Sequence, residues 1–316
     1  MAGTIEPPGD RIVQAIARAR SSVVLVAPFI KHASLERLVR AIAPGVPLSC
    51  YTRWRPEEIA AGVSDLDVWP LLRERNGSLR LRYDLHAKVY RVDDVCFVGS
   101  ANLTLAGLGW TTAANLEVLV PILANSELMT GFFHELDQMA VEVTDTIYAE
   151  MVEVVRAFPS TPAPHIVAGV EEDPGSLIGW VPRCRVPGNH NLYRTYNRQW
   201  NMVNQTTYED ATRDLAALRV PAGITSESVF VKHVATVLRQ SPVAAVVSVR
   251  AKDPILPGEG QRIVTQELGY GNGPHGEVTG EEWSTLRTWI TTFLADEFRE
   301  RQGESGPELV RSVRIA

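Results

Sequence analysis

The sequence predicts an α/β amino-terminal domain, in which a parallel or mixed sheet is covered by helices, followed by a smaller α+β domain. Three observations carry this. Residues 1–158 alternate short β-type and helix-type segments, residues 159–175 (PSTPAPHIVAGVEEDPG) collect proline, glycine and acid into a linker, and residues 176–316 read mostly as helix. At 316 residues the chain exceeds the usual single-domain size of roughly 100 to 200, so two domains are expected.

In order, RIVQAIARAR has helical spacing and VVLVAPFI is a short apolar strand. SLERLVRAI is helical again, with Ser34 as its cap, and VPLSCYTRW returns to strand. PEEIAAG is a short helix closed by Gly62, and DVWPLLRERNGS a further turn of helix ended by Asn76-Gly77. SLRLRYD, HAKVYRV and DVCFVGS show β-type alternation, the last two separated by the Asp93-Asp94 turn, and NLEVLVPI is one more strand. SELMTGFFHELDQMAVEV and YAEMVEVVRAF are helical. Beyond the linker, YEDATRDLAAL, SESVFVKHVATVLRQ and GEEWSTLRTWITTFLADEFRERQ read as helices and PVAAVVSVRA as a strand.

Composition narrows the function classes. With 45% hydrophobic and 22% charged residues the chain can bury an ordinary core. The start lacks the basic and apolar runs of a secretion signal and no apolar run approaches a membrane span, so a cytoplasmic protein without a membrane partner is expected. Cys50, Cys96 and Cys184 have no CxxC spacing, which argues against a disulfide framework and a zinc site; reduced thiols are expected, with Cys50 and Cys96 buried. The net charge of −6 is uneven, since the acid lies in the first part and residues 174–208 contain none at all.

One constellation carries chemistry. Residues two apart in a strand point to the same side, so His86 and Lys88 in HAKVYRV would project together, with Ala87 and Val89 packed behind. Asp93 opens the next turn, either as a turn former or as part of the site. After VCFV comes Gly99-Ser100-Ala101-Asn102, where glycine permits a close backbone approach and the Ser hydroxyl and Asn amide supply donors. A histidine, an ammonium and neutral donors suit a phosphate.

This pattern resembles the HKD signature of the phospholipase D superfamily, with His86, Lys88, Asp93 and Gly99 to Asn102 in the expected order and Glu117 of NLEVLV in the place of the glutamate that follows. Five residues rather than the usual six separate Asp93 from Gly99, and LTLAGLGWTT lengthens the approach to Glu117. The resemblance spans about half the chain and implies an α/β/α sandwich with a mixed sheet. It further implies metal-independent phosphodiester cleavage without a cofactor. His86 would form a phosphohistidine, Lys88 and Asn102 would stabilise phosphoryl oxygens, Ser100 would stand beside them as a donor or merely cap the local turn, and Glu117 would fix the histidine tautomer. That scheme needs two HKD sets, and His190, His233 and His275 lack the accompanying pattern, so a homodimer is expected to complete the site.

Nucleic acid, DNA first, is the expected substrate, in an endonuclease acting in restriction or anti-phage defence. The acid-free stretch GSLIGWVPRCRVPGNHNLYRTYNRQW offers Arg183, Arg185, Arg194 and Arg198 for phosphate or base edges and Trp200 for stacking, or else forms a polar hairpin whose aromatics face the core. The helix-rich second domain departs from the β-barrel of the superfamily's restriction enzymes and could instead bind a protein partner or RNA. Two other functions stay open: a phospholipid phosphodiesterase of the same superfamily, and a nucleic-acid-binding module that does not cut.

Overall fold

A computed structural model describes residues 6–158, 177, 179–188, 190–267, 276–304 and 306–312. The described residues divide into two units, the first up to Val155 and the second from Arg156 onward. The 159–175 linker lies outside the described residues.

The first unit is an α/β sandwich around a seven-stranded mixed sheet in the order β6-β5-β4-β1-β2-β3-β7. Its helices are α1 (Pro8–Ile16), α2 (His32–Ala41), α3 (Pro56–Ala60), α4 (Val68–Glu74), α5 (Glu127–Gln138) and α6 (Asp145–Arg156). Its strands are β1 (Val23–Val26), β2 (Leu48–Thr52), β3 (Ser78–Leu81), β4 (Lys88–Val92), β5 (Val95–Gly99), β6 (Leu119–Leu123) and β7 (Val141–Glu142). β1 runs parallel to β2 and antiparallel to β4, so the sheet changes sense at its middle. A strand covered on both faces cannot alternate with polar residues, and Val23, Leu25 and Val26 are fully buried accordingly. Val26, Tyr51, Val89 and Cys96 on one face pack against Met129 and Leu136 of α5, while α1, α2 and α4 form the other layer.

Several local expectations change. Ser34 is a buried residue inside α2 rather than its cap; the cap comes from another loop, where Asp65 accepts the His32 N–H at 2.8 Å and pairs with Lys31. The segment after Gln138 leaves the helix and forms β7, antiparallel to β3. β6 begins at Leu119, so Glu117 precedes the strand instead of lying within it.

The second unit is mainly helical: α7 (Asn191–Tyr196), α8 (Gln205–Ala217), α9 (Glu227–Gln240), α10 (Pro242–Arg250), α11 (Pro257–Glu267) and α12 (Gly280–Phe293), with a hairpin of β8 (Phe298–Gly303) and β9 (Gly306–Arg311). PVAAVVSVRA is therefore a helix and not a strand. Ser241 caps it through the Ala244 N–H, Pro242 stands in its first turn, and Pro242 through Ser248 are all buried. A segment apolar on every side satisfies both periods; Ser-Pro and the length decide for helix. The helix expected to run through Gln302 stops at Phe293, and Arg301 pairs with Glu308 across the hairpin that follows.

A buried carboxylate organises this unit. Asp214 accepts from Trp180 Nε1 at 3.1 Å, Arg183 N at 3.0 Å and Cys184 N at 2.8 Å, and Trp289 Nε1 donates to the Cys184 carbonyl at 2.8 Å. Burial pushes the Asp214 carboxyl up to about 6 despite these N–H donors. His233 is wholly buried in α9, and burial drives it down to about 4. All three cysteines are free and buried, Cys50 and Cys96 among them as expected.

Candidate active site

β4 and β5 form a hairpin whose register sets Lys88 opposite Gly99 and brings the two halves of the motif to one end of the sheet. His86 is not in the strand; it is exposed in the turn between β3 and β4, while Lys88 is the first residue of β4. The two groups still converge, because Lys88 Nζ donates to the His86 carbonyl at 2.7 Å and lies 3.5 Å from His86 Nε2. The chain turns before His86 because Arg82 folds back, donating to Asp84 at 2.7 Å and to Glu135 at 3.0 Å.

Gly99 is required by space. A Cβ there would sit 1.8 Å from the Val118 carbonyl oxygen, so only glycine allows β5 and the chain entering β6 to approach this closely. Ser100 continues the pairing, its N–H donating to Val118 O at 3.1 Å and its Oγ accepting from Val118 N at 3.2 Å. The Ser100 hydroxyl donates to the Glu117 carboxylate, which also accepts from Asn115 Nδ2 at 3.2 Å. The long 103–112 loop therefore still returns Glu117 beside the motif. It docks on α1, where Trp110 Nε1 donates to Asp10 at 2.8 Å and the Arg37 guanidinium lies over its ring. Tyr90, fully buried, donates to the Ala101 carbonyl at 2.7 Å and so fixes the turn between Ser100 and Asn102. The Asn102 Oδ1 is buried and has no hydrogen-bond partner among the described residues.

Asp93 stands apart from this group. It occupies the β4–β5 turn at φ 51°, a conformation aspartate tolerates, and accepts from Ser21 N at 2.8 Å, Arg20 N at 2.9 Å, Ser22 N at 3.0 Å and Ser21 Oγ at 2.7 Å. Its carboxyl is held well below the ordinary carboxylate range, chiefly by the Ser22 N–H. It ties the motif hairpin to the turn ahead of β1.

The site holds cations that the motif does not name. Arg53, just past β2, donates to Glu58 through Nε at 3.0 Å and Nη2 at 2.5 Å. Burial lowers the Lys88 pKa, the Arg53 charge lowers it further, and Glu117 pulls it back up. A signal for these residues was present in YTRWR, which places Arg53 and Arg55 just beyond the end of a buried strand that runs parallel to its neighbours, the edge at which α/β proteins bind ligands. Among the described residues no group of three or more His, Cys, Asp and Glu could hold a metal, and no helix is long and apolar enough to cross a membrane.

In the second unit the arginines are scattered. Arg183 contributes its backbone N–H to Asp214 and exposes its side chain, Arg185 pairs with Glu281, and Arg198 is exposed at φ 59° beyond α7. Arg194 lies half-buried within α7. Tyr193 and Tyr196 pack on Phe230 and donate to the carbonyls of Thr225 and Pro221, so they belong to the core. Trp200 is 70% exposed.

No family model matches the chain, and no curated protein matches it. Solved structures do. It is similar to NucT from Helicobacter pylori, with 18% identity and a TM-score of 0.34 over 42% of this chain and 89% of that one. It is also similar to Nuc from Salmonella typhimurium, a phospholipase D family member, with 22% identity and a TM-score of 0.36 over 43% and 90%. TrmBL2, an archaeal chromatin protein with its own mode of DNA binding, matches at 15% identity and a TM-score of 0.30 over 43% and 50%. These likenesses are partial and distant, and the functional reading rests on the site itself.

Proposed function

We propose that this protein is a metal-independent phosphodiesterase, acting on nucleic acid as an endonuclease through a phosphohistidine intermediate. The observation that carries the reading is the meeting of His86 with Lys88 at one end of the β4–β5 hairpin, beside a Gly99-Ser100 turn that is bonded to Glu117. A ring nitrogen of His86 attacks phosphorus and the P–O bond to the leaving alkoxide breaks; water then displaces the histidine and returns it unchanged. Lys88 meets the charge that grows on the nonbridging oxygens, and Glu117 holds the Ser100 hydroxyl in one orientation beside them.

The leaving alkoxide needs a proton, and the motif occurs once in the chain. A second copy supplies that acid through its own histidine, making the enzyme a homodimer. Leu116, Val118 and Val120, 95%, 60% and 49% exposed around Glu117 and the free edge of β6, offer the second copy an apolar surface next to the site. DNA is the favoured substrate. Exposed Trp200, with Arg183 and Arg198, suits stacking and phosphate contact in the second unit, and a restriction or defence role follows if that unit reads sequence.

The test is incubation of the wild type and His86→Ala with single- and double-stranded DNA in excess EDTA, alongside sedimentation. Cleavage by the wild-type dimer alone supports the reading. Cleavage that survives in His86→Ala, or full activity in a monomer, rejects it.

A further inference from the structure

We propose that Arg53 is a positioning residue of this site: it staples the turn that presents His86 and, with Lys88, makes the second cation of a pair facing an anionic diester. The proposal rests on the phosphodiesterase reading above.

Besides its two bonds to Glu58, Arg53 donates from Nη1 to the Leu85 carbonyl at 3.4 Å, the residue immediately before His86. Arg55 repeats the device one step earlier, donating to the Tyr83 carbonyl at 3.3 Å with its guanidinium 4.3 Å from the Tyr83 ring centroid. Both arginines therefore hold main-chain oxygens of the 83–85 turn. A guanidinium fork on a carboxylate fixes direction as well as distance, so the bonds to Glu58 aim the third donor at Leu85.

The charges around this turn are unevenly paired. Glu58 serves both guanidiniums, Arg53 in a close fork and Arg55 at 3.9 Å, and these side chains are only 8–17% exposed. Lys88 adds a further positive charge, faced by Arg53 after β2, by Glu117 ahead of β6 and by His86 in its own turn. Arg82 on the same turn has Asp84 and Glu135 to itself, whereas Arg53, Arg55 and Lys88 share Glu58 and Glu117. An arrangement built only for stability would pair each guanidinium with its own carboxylate, because an uncompensated half-buried charge is costly. A bound phosphodiester gives the cations that share Glu58 and Glu117 a further anionic partner. The depression of Lys88 by Arg53 is the electrostatic trace of the same closeness.

The test uses the full chain as wild type, Arg53→Met and Arg53→Lys, with ¹³C-dimethylated lysines followed by NMR. Lys31, Lys88, Lys232 and Lys252 are its four lysines, and Lys88→Ala assigns the signal. Arg53→Met is expected to raise the pH at which Lys88 titrates, to move the basic limb of bis(p-nitrophenyl) phosphate hydrolysis in EDTA the same way, and to lower kcat about tenfold or more. Arg53→Lys keeps the charge and loses the fork, so Lys88 titrates as in the wild type while kcat still falls. Folded Arg53→Met with unchanged Lys88 titration overturns the proposal, as does Arg53→Lys with wild-type kcat, which decides the matter if Arg53→Met does not fold. A wild type that hydrolyses no diester rejects the assigned activity, whereas the lysine titration tests the Arg53–Lys88 coupling independently of it.

Discussion

Gly99→Ala separates a glycine that the site requires from one the fold merely tolerates. The new Cβ would stand 1.8 Å from Val118 O, 2.8 Å from Val118 C and 3.1 Å from Leu119 Cα, all of them main chain. A carbon–oxygen contact needs roughly 3.3 Å, so the backbone entering β6 must retreat by roughly 1.5 Å. That retreat breaks the two Ser100–Val118 bonds at about 1 kcal/mol each. Overpacking adds about 1–3 kcal/mol, for a loss of about 3–5 kcal/mol, and it carries Glu117 away from Ser100. Gly131 is the contrast: it is exposed within α5 with nothing inside 4 Å of a built Cβ, so Gly131→Ala is expected to gain about 0.5–1 kcal/mol. Urea unfolding and EDTA-resistant diester cleavage measure both variants. Gly99→Ala with a wild-type midpoint and rate would show that the close approach of β5 and β6 is neither structural nor functional, and the account of this turn would fall.

Four other outcomes are expected. Asp93→Asn keeps a residue tolerant of positive φ but weakens the grip on Arg20 to Ser22, costing about 1 kcal/mol in urea with cleavage unchanged; a tenfold loss of rate at unchanged stability would return Asp93 to the site. Tyr90→Phe leaves the Ala101 carbonyl without that bond, costs about 1–3 kcal/mol and slows cleavage by shifting the 99–102 turn, a slowing that kinetics must show. Asp214 and His233 act oppositely on pH. Asp214, raised to about 6, contributes stability that is present below its unfolded value near 4 and lost as pH rises through 6, while His233, lowered to about 4, contributes stability present above about 6.5 and lost on acidification through 4. Each is worth about 3 kcal/mol, so His233→Leu should make unfolding free energy fall from pH 4 to 6.5 and Asp214→Asn should make it rise; equal slopes in both variants would refute the assignment. Trp200→Ala, at a mostly exposed position, should leave the unfolding midpoint unchanged and weaken DNA binding in a salt titration, and undiminished binding would remove Trp200 from the interface.

Much of the first unit was legible because its signals are local and redundant. The apolar run at Val23–Val26, the Gly62 and Asn76 stops and the alternation of Lys88–Val92 with Val95–Gly99 each act within a few residues, and the structure places each where the spacing does, although His86, expected in the strand, falls just before it. The helix at Pro242–Arg250 was not legible by period, since a segment buried on every side has no polar face to count. The Phe298–Gly303 strand was hidden because its partner lies farther along the chain and its alternation continues a helical apolar pattern. At the proposed site, His86, Lys88, Ser100 and Glu117 are a motif and could be read, whereas Arg53 bonds Leu85 and Glu58, 32 and 5 residues along the chain, a relation that no spacing rule anticipates.

The braces around the site share one feature with a mechanical consequence. Lys88 bonds the His86 carbonyl, Arg53 that of Leu85, Arg55 that of Tyr83, and Tyr90 that of Ala101. Every acceptor is a main-chain oxygen in, or next to, a residue of the motif turns. Such bonds fix where the backbone presents a side chain and leave that side chain's own chemistry to the reaction. Their donors come from β4 and from the end of β2, strands held by both neighbours in the sheet, so the rigidity of the turns is borrowed from its centre. Turns at a sheet edge are otherwise the parts of a domain that open most readily, and a site that stabilises a developing charge by position cannot reorganise as the charge appears. Under the proposed function the sheet serves the chemistry through its carbonyl braces, and a loss of any one of them should register in rate before it registers in fold.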